Sequence, residues 1–337
     1  MAITYLAAFL TALVVCFAVT PLFRAVALRL KIVDQPTERK VHKDPVPYLG
    51  GAAIICAFAV ALLVGAAVRG VSGSFAQMGT LLGGALVLAL MGLVDDLRVV
   101  PGWIKVPVEL GLGVALYFAG SKAQLFDILP LDLLITVAWV IGITNAVNYM
   151  DNMDGLTSGV VAIASIFFLV LASGTGQVLV ASLSAGLAGC AIGFLWHNRP
   201  PARIFMGDAG SLFMGFLLAG LGLELRFANI QTVSFFVPVA VLAIPVLDAL
   251  MVSVSRVRRG LSPIAPGKDH MSHRLVIVGV PPKAAVGLIY FASAAAGWIG
   301  LVIAKAQPVT AYMLMGWMVV VGVFLAFLLM RVKVDSP

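Results

Sequence analysis

The sequence predicts an all-α protein that crosses a membrane many times, with about eleven transmembrane helices. Hydrophobic residues make up 61% of the 337 residues and charged residues only 11%, whereas a soluble domain carries about 25% charged residues. The apolar residues fall in long runs, and each run approaches the roughly 20 residues that a helix needs to cross the hydrocarbon core. Lipid must therefore be part of the solvent of this chain, and residues 1–337 are interpreted as one transmembrane domain.

Eleven apolar runs are candidate spans. They lie at about 4–23, 50–69, 78–94, 103–120, 131–149, 157–173, 177–195, 211–226, 232–254, 284–304 and 309–330. The first run is interpreted as a retained span, because no small-residue cleavage pattern follows it. The fifth contains Gly142, a candidate point for a break. The cysteines Cys16, Cys56 and Cys190 lack the spacing of metal ligands and suggest no disulfide framework.

The basic residues predict the orientation. With the N-terminus outside and the C-terminus cytoplasmic, the inner segments carry 18 of the 22 Lys and Arg residues, as the positive-inside rule requires. The outer side keeps Arg69, Lys122, Arg226 and Lys305. The inner loops are predicted at 24–49, 95–102, 145–156, 196–210 and 255–283. Because topology explains the net charge of +7, no nucleic acid partner is expected.

The first inner loop is strongly basic. Arg39, Lys40 and His42 form a cationic patch, and Gly50-Gly51 allow close backbone approach to a ligand. The patch either attracts anionic lipid as a positive-inside anchor or binds an anionic substrate.

The second inner loop begins with adjacent carboxylates, Asp95 and Asp96, at the end of an apolar span. Two such groups repel unless a cation or a proton joins them, and ionisable groups at membrane depth are usually functional. The alternative is an ordinary acidic pair at the membrane interface.

The third inner loop is rich in oxygen donors. Asn145, Asn148, Asp151, Asn152 and Asp154 lie within ten residues that contain no Lys or Arg. Such oxygen atoms suit a hard cation such as Mg²⁺. The alternative is a polar loop built from turn-forming residues.

The fourth inner loop contains Arg203, Phe205, Gly207 and Asp208, followed by a new apolar run. A glycine-rich helix N-terminus attracts phosphate, although Asp208 or Ser211 could equally act as a helix cap.

The fifth inner loop contains His270 and His273, which share a face if this segment is helical. Neighbouring Lys and Arg residues favour a phosphate ligand over zinc, since no third zinc ligand is close in sequence. A pair of surface histidines is the alternative.

The five loops together indicate a reaction between a soluble nucleotide and a lipid of the inner leaflet. Carboxylates favour Mg²⁺ and cations favour phosphates, and clustered carboxylates would repel a pyrophosphate without a metal between them. A secondary transporter is the competing class, but its polar sites lie near the bilayer midplane. Here the polar clusters lie at helix ends on one side.

On these motifs the chain resembles the polyprenyl-phosphate N-acetylhexosamine-1-phosphate transferases (glycosyltransferase family 4), in particular the undecaprenyl-phosphate GlcNAc-1-phosphate transferase-like branch. The matching segments are Asp34-x-Pro36 through the basic stretch to Gly50-Gly51, Asp95-Asp96, Asn145-x-x-Asn148-x-x-Asp151-x-x-Asp154-Gly155, Phe205-Met206-Gly207-Asp208-x-Gly210-Ser211 and the loop of His270 and His273. Two positions depart from the family pattern: Ser272 replaces the middle histidine of His-x-His-His, and Asn152 stands where glycine often follows the aspartate.

The resemblance implies a fold of ten or eleven helices in the plasma (inner) membrane, with the active site facing the cytoplasm. It implies transfer of HexNAc-1-phosphate from a UDP-sugar, by default UDP-GlcNAc, to undecaprenyl or another polyprenyl phosphate, with release of UMP. This is the first membrane step in making cell-envelope polysaccharides such as O-antigen or teichoic acid. The implied cofactor is Mg²⁺, with Mn²⁺ as the alternative, and a homodimer is a further expectation. The alternative activity is that of a phospho-MurNAc-pentapeptide transferase.

The resemblance also implies roles for individual residues. The catalytic set is Asp95, Asp96, Asp208, His270 and His273, and the metal set is Asp208, Asn148 and Asp95. The substrate-binding set is Arg39, Lys40, His42, Asn145, Asp151, Asp154, Arg203, Phe205 and Gly207.

Overall fold

The chain is an all-helical, multi-pass membrane protein. The computed structural model describes residues 1–34, 45–69, 75–98, 100–227, 230–262 and 267–334. The helices are α1 (Ala2–Arg29), α2 (Gly50–Arg69), α3 (Phe75–Leu97), α4 (Gly102–Ala119), α5 (Leu129–Tyr149), α6 (Leu156–Gly174), α7 (Val178–Asn198), α8 (Gly207–Glu224), α9 (Gln231–Val241), α10 (Ala243–Arg258), α11 (Met271–Ile277), α12 (Pro282–Lys305) and α13 (Pro308–Met330). A short antiparallel pair, β1 (Val33–Asp34) and β2 (Val46–Pro47), precedes α2. The predicted substrate residues Arg39, Lys40 and His42 lie outside the described residues.

Within the described ranges, nine helices are long and apolar enough to cross a membrane, and α9 with α10 forms a tenth candidate bent by 75°. These nine helices coincide with nine of the eleven predicted spans. The other two predicted runs, 211–226 and 232–254, lie in α8 and in the α9–α10 pair, respectively. The break expected at Gly142 is wrong, because α5 continues without interruption from Leu129 to Tyr149.

The run at 211–226 belongs to α8, which is the central helix of the bundle. Every residue of α8 except Asp208 and Glu224 is buried, and α2, α3, α5, α6, α7 and α9 pack around it. A Cβ atom at Gly92 of α3 would lie 2.4 Å from the backbone carbonyl carbon of Asp208. The small residue at this crossing therefore brings α3 against the first turn of α8.

The run at 232–254 is broken at Leu242, between α9 and α10. Pro245 has no N–H group to donate to the carbonyl of Val241, and its ring crowds that carbonyl. The helix therefore ends at Val241 and resumes at Ala243 in a new direction. The second half, α10, leads toward the end of the bundle where the polar motifs lie.

Candidate active site

Two carboxylates from different helices converge on one ammonium group. Asp95 at the end of α3 forms an ion pair with Lys105 of α4, and the same Lys105 Nζ lies 3.2 Å from Oδ2 of Asp208 on α8. The three side chains are 11%, 25% and 32% exposed for Asp95, Lys105 and Asp208, respectively. The positive charge offsets the repulsion that two neighbouring carboxylates would otherwise suffer. Both carboxylates were predicted from the sequence as site residues, but Lys105 was not.

Asp96, the neighbour of Asp95, contacts the backbone of α8. Its carboxylate accepts the N–H groups of Asp208 and Ala209 at 2.7 and 3.2 Å. A carboxylate at a helix N-terminus satisfies unpaired N–H groups and interacts favourably with the helix dipole. Gly207 has a φ of +66°, and a Cβ atom there would lie 2.4 Å from Asp96 Oδ2. Asp96 and Gly207 together fix the first turn of α8, and with it Asp208.

Two asparagines of α5 hold carboxylates by hydrogen bonds. Asn148 Nδ2 donates to Asp208 Oδ1 at 3.0 Å and to Ser211 Oγ at 2.9 Å. Asn145 Nδ2 donates to Glu109 Oε2 at 2.6 Å. Glu109 of α4 is only 1% exposed, and it was not predicted as a site residue from the sequence. An ionisable residue within a predicted span was the available signal.

The loop between α5 and α6 contains two further carboxylates in different environments. Burial, together with the charges of Asp208 and Asp96, raises the pKa of Asp151 to about 8. Asp154 Oδ2 accepts the backbone N–H of Ala202 at 2.8 Å. Asp151 therefore belongs to the acidic cluster, whereas Asp154 ties this loop to the connection between α7 and α8.

The beginning of α2 is held against the start of α8. The N–H groups of Gly50 and Gly51 donate to the carbonyls of Phe205 and Met206 at 3.0 and 2.9 Å. A Cβ atom at Gly51 would lie 2.4 Å from the backbone nitrogen of Gly210, so only glycine allows this approach. The first and fourth predicted loops therefore meet, as their shared orientation implied.

Phe205 lies beside the aromatic ring of Tyr48, and the two ring centroids are 6.2 Å apart. Burial, a hydrogen bond with Asp34 and the charge of Asp34 raise the pKa of Tyr48 well above its usual value. Arg203 is exposed, and its carbonyl oxygen accepts a 3.0 Å hydrogen bond from Arg24 Nε. Phe205 and Tyr48 form an aromatic wall beside the acidic cluster, and Arg203 lies further out.

The two histidines of the fifth loop lie close together, with ring centroids 6.1 Å apart. His270 is 5% exposed, and its Nδ1 lies 2.8 Å from Oδ2 of Asp248 on α10. His273 Nδ1 is buried without a hydrogen-bond partner in the described part of the chain. Burial, reinforced by the electrostatic influence of His270 and Lys268, lowers the pKa of His273 to about 4, so this ring is neutral near pH 7.

The histidine loop is anchored by buried ion pairs. Asp269 accepts hydrogen bonds from Arg256 at 2.7 Å and from Arg259 at 2.6 Å. Burial alone would raise the pKa of Asp269, but the hydrogen bond and charge of Arg256 lower it. Arg274 donates to the carbonyls of Asp269 and Leu329 at 2.7 and 3.0 Å. The loop is therefore tied to α10 and to the end of α13.

The two positions that depart from the family pattern contact each other. Ser272 Oγ donates to Asn152 Oδ1 at 2.6 Å. This hydrogen bond joins the histidine loop to the loop between α5 and α6. The two departures therefore form one structural feature.

The fold and the polar cluster define a multi-pass membrane protein with a charged site at one end of its bundle. A profile of the family described as "Glycosyl transferase family 4" matches residues 78–226. The chain belongs to glycosyl transferase family 4, because relatives more than 30% identical match it over most of its length.

Three relatives illustrate the similarity. A Bacillus subtilis (strain 168) protein named "Probable undecaprenyl-phosphate N-acetylglucosaminyl 1-phosphate transferase" is 32% identical over 84% of this chain and 80% of its own. A Mycolicibacterium smegmatis protein named "Decaprenyl-phosphate N-acetylglucosaminephosphotransferase" is 33% identical over 93% of this chain and 86% of its own. An Escherichia coli O157:H7 protein named "Undecaprenyl-phosphate alpha-N-acetylglucosaminyl 1-phosphate transferase" is 26% identical over 95% of this chain and 89% of its own.

Proposed function

We propose that this chain transfers N-acetylhexosamine-1-phosphate from a UDP-sugar to a polyprenyl phosphate and releases UMP. Family membership supports this activity, and the names of the relatives supply the acceptor class and the default sugar, N-acetylglucosamine. The observation that carries the proposal is the convergence of Asp95 and Asp208 on the Lys105 ammonium at one end of the bundle. The pathway we propose is cell-envelope polysaccharide synthesis, such as O-antigen or teichoic acid.

The donor atoms of this cluster suit Mg²⁺, which we propose as cofactor, with Mn²⁺ as the alternative. Asp95 and Asp208 present only oxygen atoms and already share one cation. In the described ranges no three His, Cys, Asp or Glu side chains form a ligand set, and Mg²⁺ is typically held by one or two carboxylates together with substrate phosphates and water. Asp208 and Asp95 would hold the ion, with Asn148 beside them. When bound, the ion neutralises the charge of the pyrophosphate.

The proposed reaction is a direct in-line displacement. An oxygen of the polyprenyl phosphate attacks the sugar-side phosphorus, and UMP leaves. A phosphate monoester has a second pKa of about 6, so the acceptor is mostly dianionic at neutral pH and needs little help from a base. A two-step route through an aspartyl-phosphate is the rival. Trapping a phosphorylated enzyme in the absence of acceptor lipid would refute the direct route.

The residues of the chain have separate tasks in this mechanism. Lys105 supplies positive charge toward the phosphates, while Asn148 and Asp96 hold Asp208 in place. Asp248 accepts a hydrogen bond from His270 Nδ1, which leaves Nε2 on the opposite edge of the ring for a phosphate oxygen.

We propose that the active site faces the cytoplasm across the plasma membrane, with the N-terminus outside and the C-terminus inside. The distribution of Lys and Arg supports this orientation. The structure adds that α3, α5 and α7 end, and α4, α6 and α8 begin, around the same polar cluster. A UDP-sugar and a lipid phosphate could meet at that face.

The test is release of uridine-labelled UMP by the purified chain supplied with UDP-GlcNAc, polyprenyl phosphate and Mg²⁺. We expect release that depends on the acceptor, and a loss of about 10²–10³-fold in Asp208→Asn, the range seen when a transition-state contact is removed. Lys305→Gln, an exposed change at the end of α12, serves as the matched control. A folded protein that releases no UMP from UDP-GlcNAc, UDP-GalNAc or UDP-MurNAc-pentapeptide would overturn the proposal, and this panel also identifies the sugar.

A further inference from the structure

A cavity of about 200 Å³ lies at the end of the bundle opposite to the acidic cluster. The connection between α4 and α5, the end of α8 and the start of α9 surround it. The length of α8 places it about 25 Å from Asp208, at 1.5 Å of helix rise per residue. Sites for drug-sized ligands have about 300–1,000 Å³, so this cavity suits a headgroup-sized group and not a nucleotide sugar.

The polar lining of this outer cavity is cationic or neutral. Lys122 and Arg226 line it together with Gln124, Gln231 and Ser234. Its lining includes no carboxylate, and neither cation forms a salt bridge with a described residue. Such a lining favours an anion over a neutral or cationic ligand.

The two cations are held in place by neighbouring contacts. The Arg226 guanidinium donates through Nη1 to nearby backbone carbonyls, including that of Leu225 at 3.3 Å. Gln177 holds the backbone of Arg226 by accepting its N–H at 2.9 Å and donating to its carbonyl at 2.7 Å. Lys122 Nζ lies 5.2 Å from the centroid of the Tyr117 ring. The nearby Glu224 carboxylate is engaged with Ser121. Because these positions are fixed before a ligand arrives, binding costs less conformational entropy.

Basic residues are rare on the predicted outer side of the membrane, yet two of them line the outer cavity. Only Arg69, Lys122, Arg226 and Lys305 are predicted on this side of the membrane, where the positive-inside rule disfavours basic residues. Two of these four line one cavity. Both lie just beyond the end of a helix, Lys122 after α4 and Arg226 after α8.

We infer that the outer cavity is a second, non-catalytic binding site for a phosphate group of headgroup size. This phosphate group belongs to the headgroup of an anionic phospholipid in the leaflet opposite to the active site, or it is free inorganic phosphate. The charge and size of the cavity specify the phosphate chemistry, and the experiment distinguishes the two sources.

The experiment measures phosphatidylglycerol retained by the full chain after purification from nanodiscs, by native mass spectrometry. We expect the double variant Lys122→Gln/Arg226→Gln to bind this lipid about tenfold or more weakly, as for removal of two interfacial cations. The control Arg69→Gln/Lys305→Gln removes the same charge from the same predicted side and should bind as the unmodified chain does. Equal binding by the double variant and the control would overturn the inference.

A cavity-filling variant tests the site independently of its charge. Ser234→Phe fills the cavity without changing its charge and should also reduce lipid binding, which tests the site if loss of Arg226 impairs folding. Unchanged binding in a folded Ser234→Phe protein would contradict the assignment.

Inorganic phosphate is then added as a competitor of the bound lipid. Displacement of the lipid identifies free phosphate as a ligand of the cavity, whereas retention of the lipid identifies the headgroup as the ligand. UMP release by every variant should persist, because the outer cavity lies far from the reacting groups.

Discussion

In the acidic cluster one ammonium group forms ion pairs with two carboxylates, whereas in the histidine loop one carboxylate, Asp269, forms ion pairs with two arginines. Lys105 lies between Asp95 and Asp208, and all three remain partly accessible. Asp269 and Arg256 are only 3% and 4% exposed. The first region has excess negative charge, which favours binding of a further cation. The second has excess positive charge around a buried ion pair, which suits a rigid support for His270.

Among the changes that test this comparison, the largest effect should follow removal of the shared cation in the acidic cluster. Lys105→Gln leaves Asp95 and Asp208 to repel each other and removes positive charge from the proposed phosphate site, so kcat should fall about 100-fold. Lys105→Arg keeps the charge and should recover part of the rate. The measurement is acceptor-dependent UMP release, with Lys305→Gln as control. A Lys105→Gln enzyme with the rate of the unmodified protein would contradict the role given to this cluster.

A smaller effect is expected when the support of the histidine loop is weakened. Asp248→Asn removes the carboxylate that orients His270, and such outer contacts are worth about 10–100-fold at comparable sites. We expect kcat to fall about tenfold with little change in KM, and Asp248→Glu to restore part of the loss. If kcat and KM both stay unchanged in a folded Asp248→Asn protein, Asp248 has no positioning role.

The contact between the two regions can be tested by a double-mutant cycle. Asn152→Ala and Ser272→Ala each remove the hydrogen bond that joins the loops. Because both changes break the same bond, their effects on kcat/KM should be non-additive by about 1 kcal/mol, roughly fivefold. Strict additivity would show that the two positions act independently.

The smallest effect concerns acid stability. Burial lowers the pKa of His273 to about 4 in the folded protein, below its usual value of about 6.5. The unfolded chain therefore binds more protons between these values, and stability should fall as the pH drops through this window. His273→Gln should remove this contribution, so its Tm should decline less than that of the unmodified protein between about pH 7 and pH 5. Parallel Tm profiles would show that His273 is not buried in its neutral form.

Parts of the active site were predictable because their signals are local in the sequence. Asp95-Asp96 and Asp208 stand in short polar motifs, and the positive-inside rule assigned those motifs to one side. Lys105, Glu109 and Asp248 were missed, because each is an isolated ionisable residue with apolar neighbours inside a predicted span. That isolation is itself a functional signal, but it does not reveal the partner, which comes from another helix.

The sequence by itself determined that the chain is a multi-pass membrane protein, which of its loops share a side, and the family to which it belongs. Relatives of the chain confirmed the family resemblance. These properties follow from composition, from the spacing of charges and from contiguous motifs. Only the tertiary structure decided that α8 is surrounded by protein and that 232–254 bends at Leu242. It also showed that Lys105 joins Asp95 to Asp208. Hydropathy cannot distinguish lipid from a neighbouring helix as the apolar environment, and an ion pair across three helices exists only once those helices are packed.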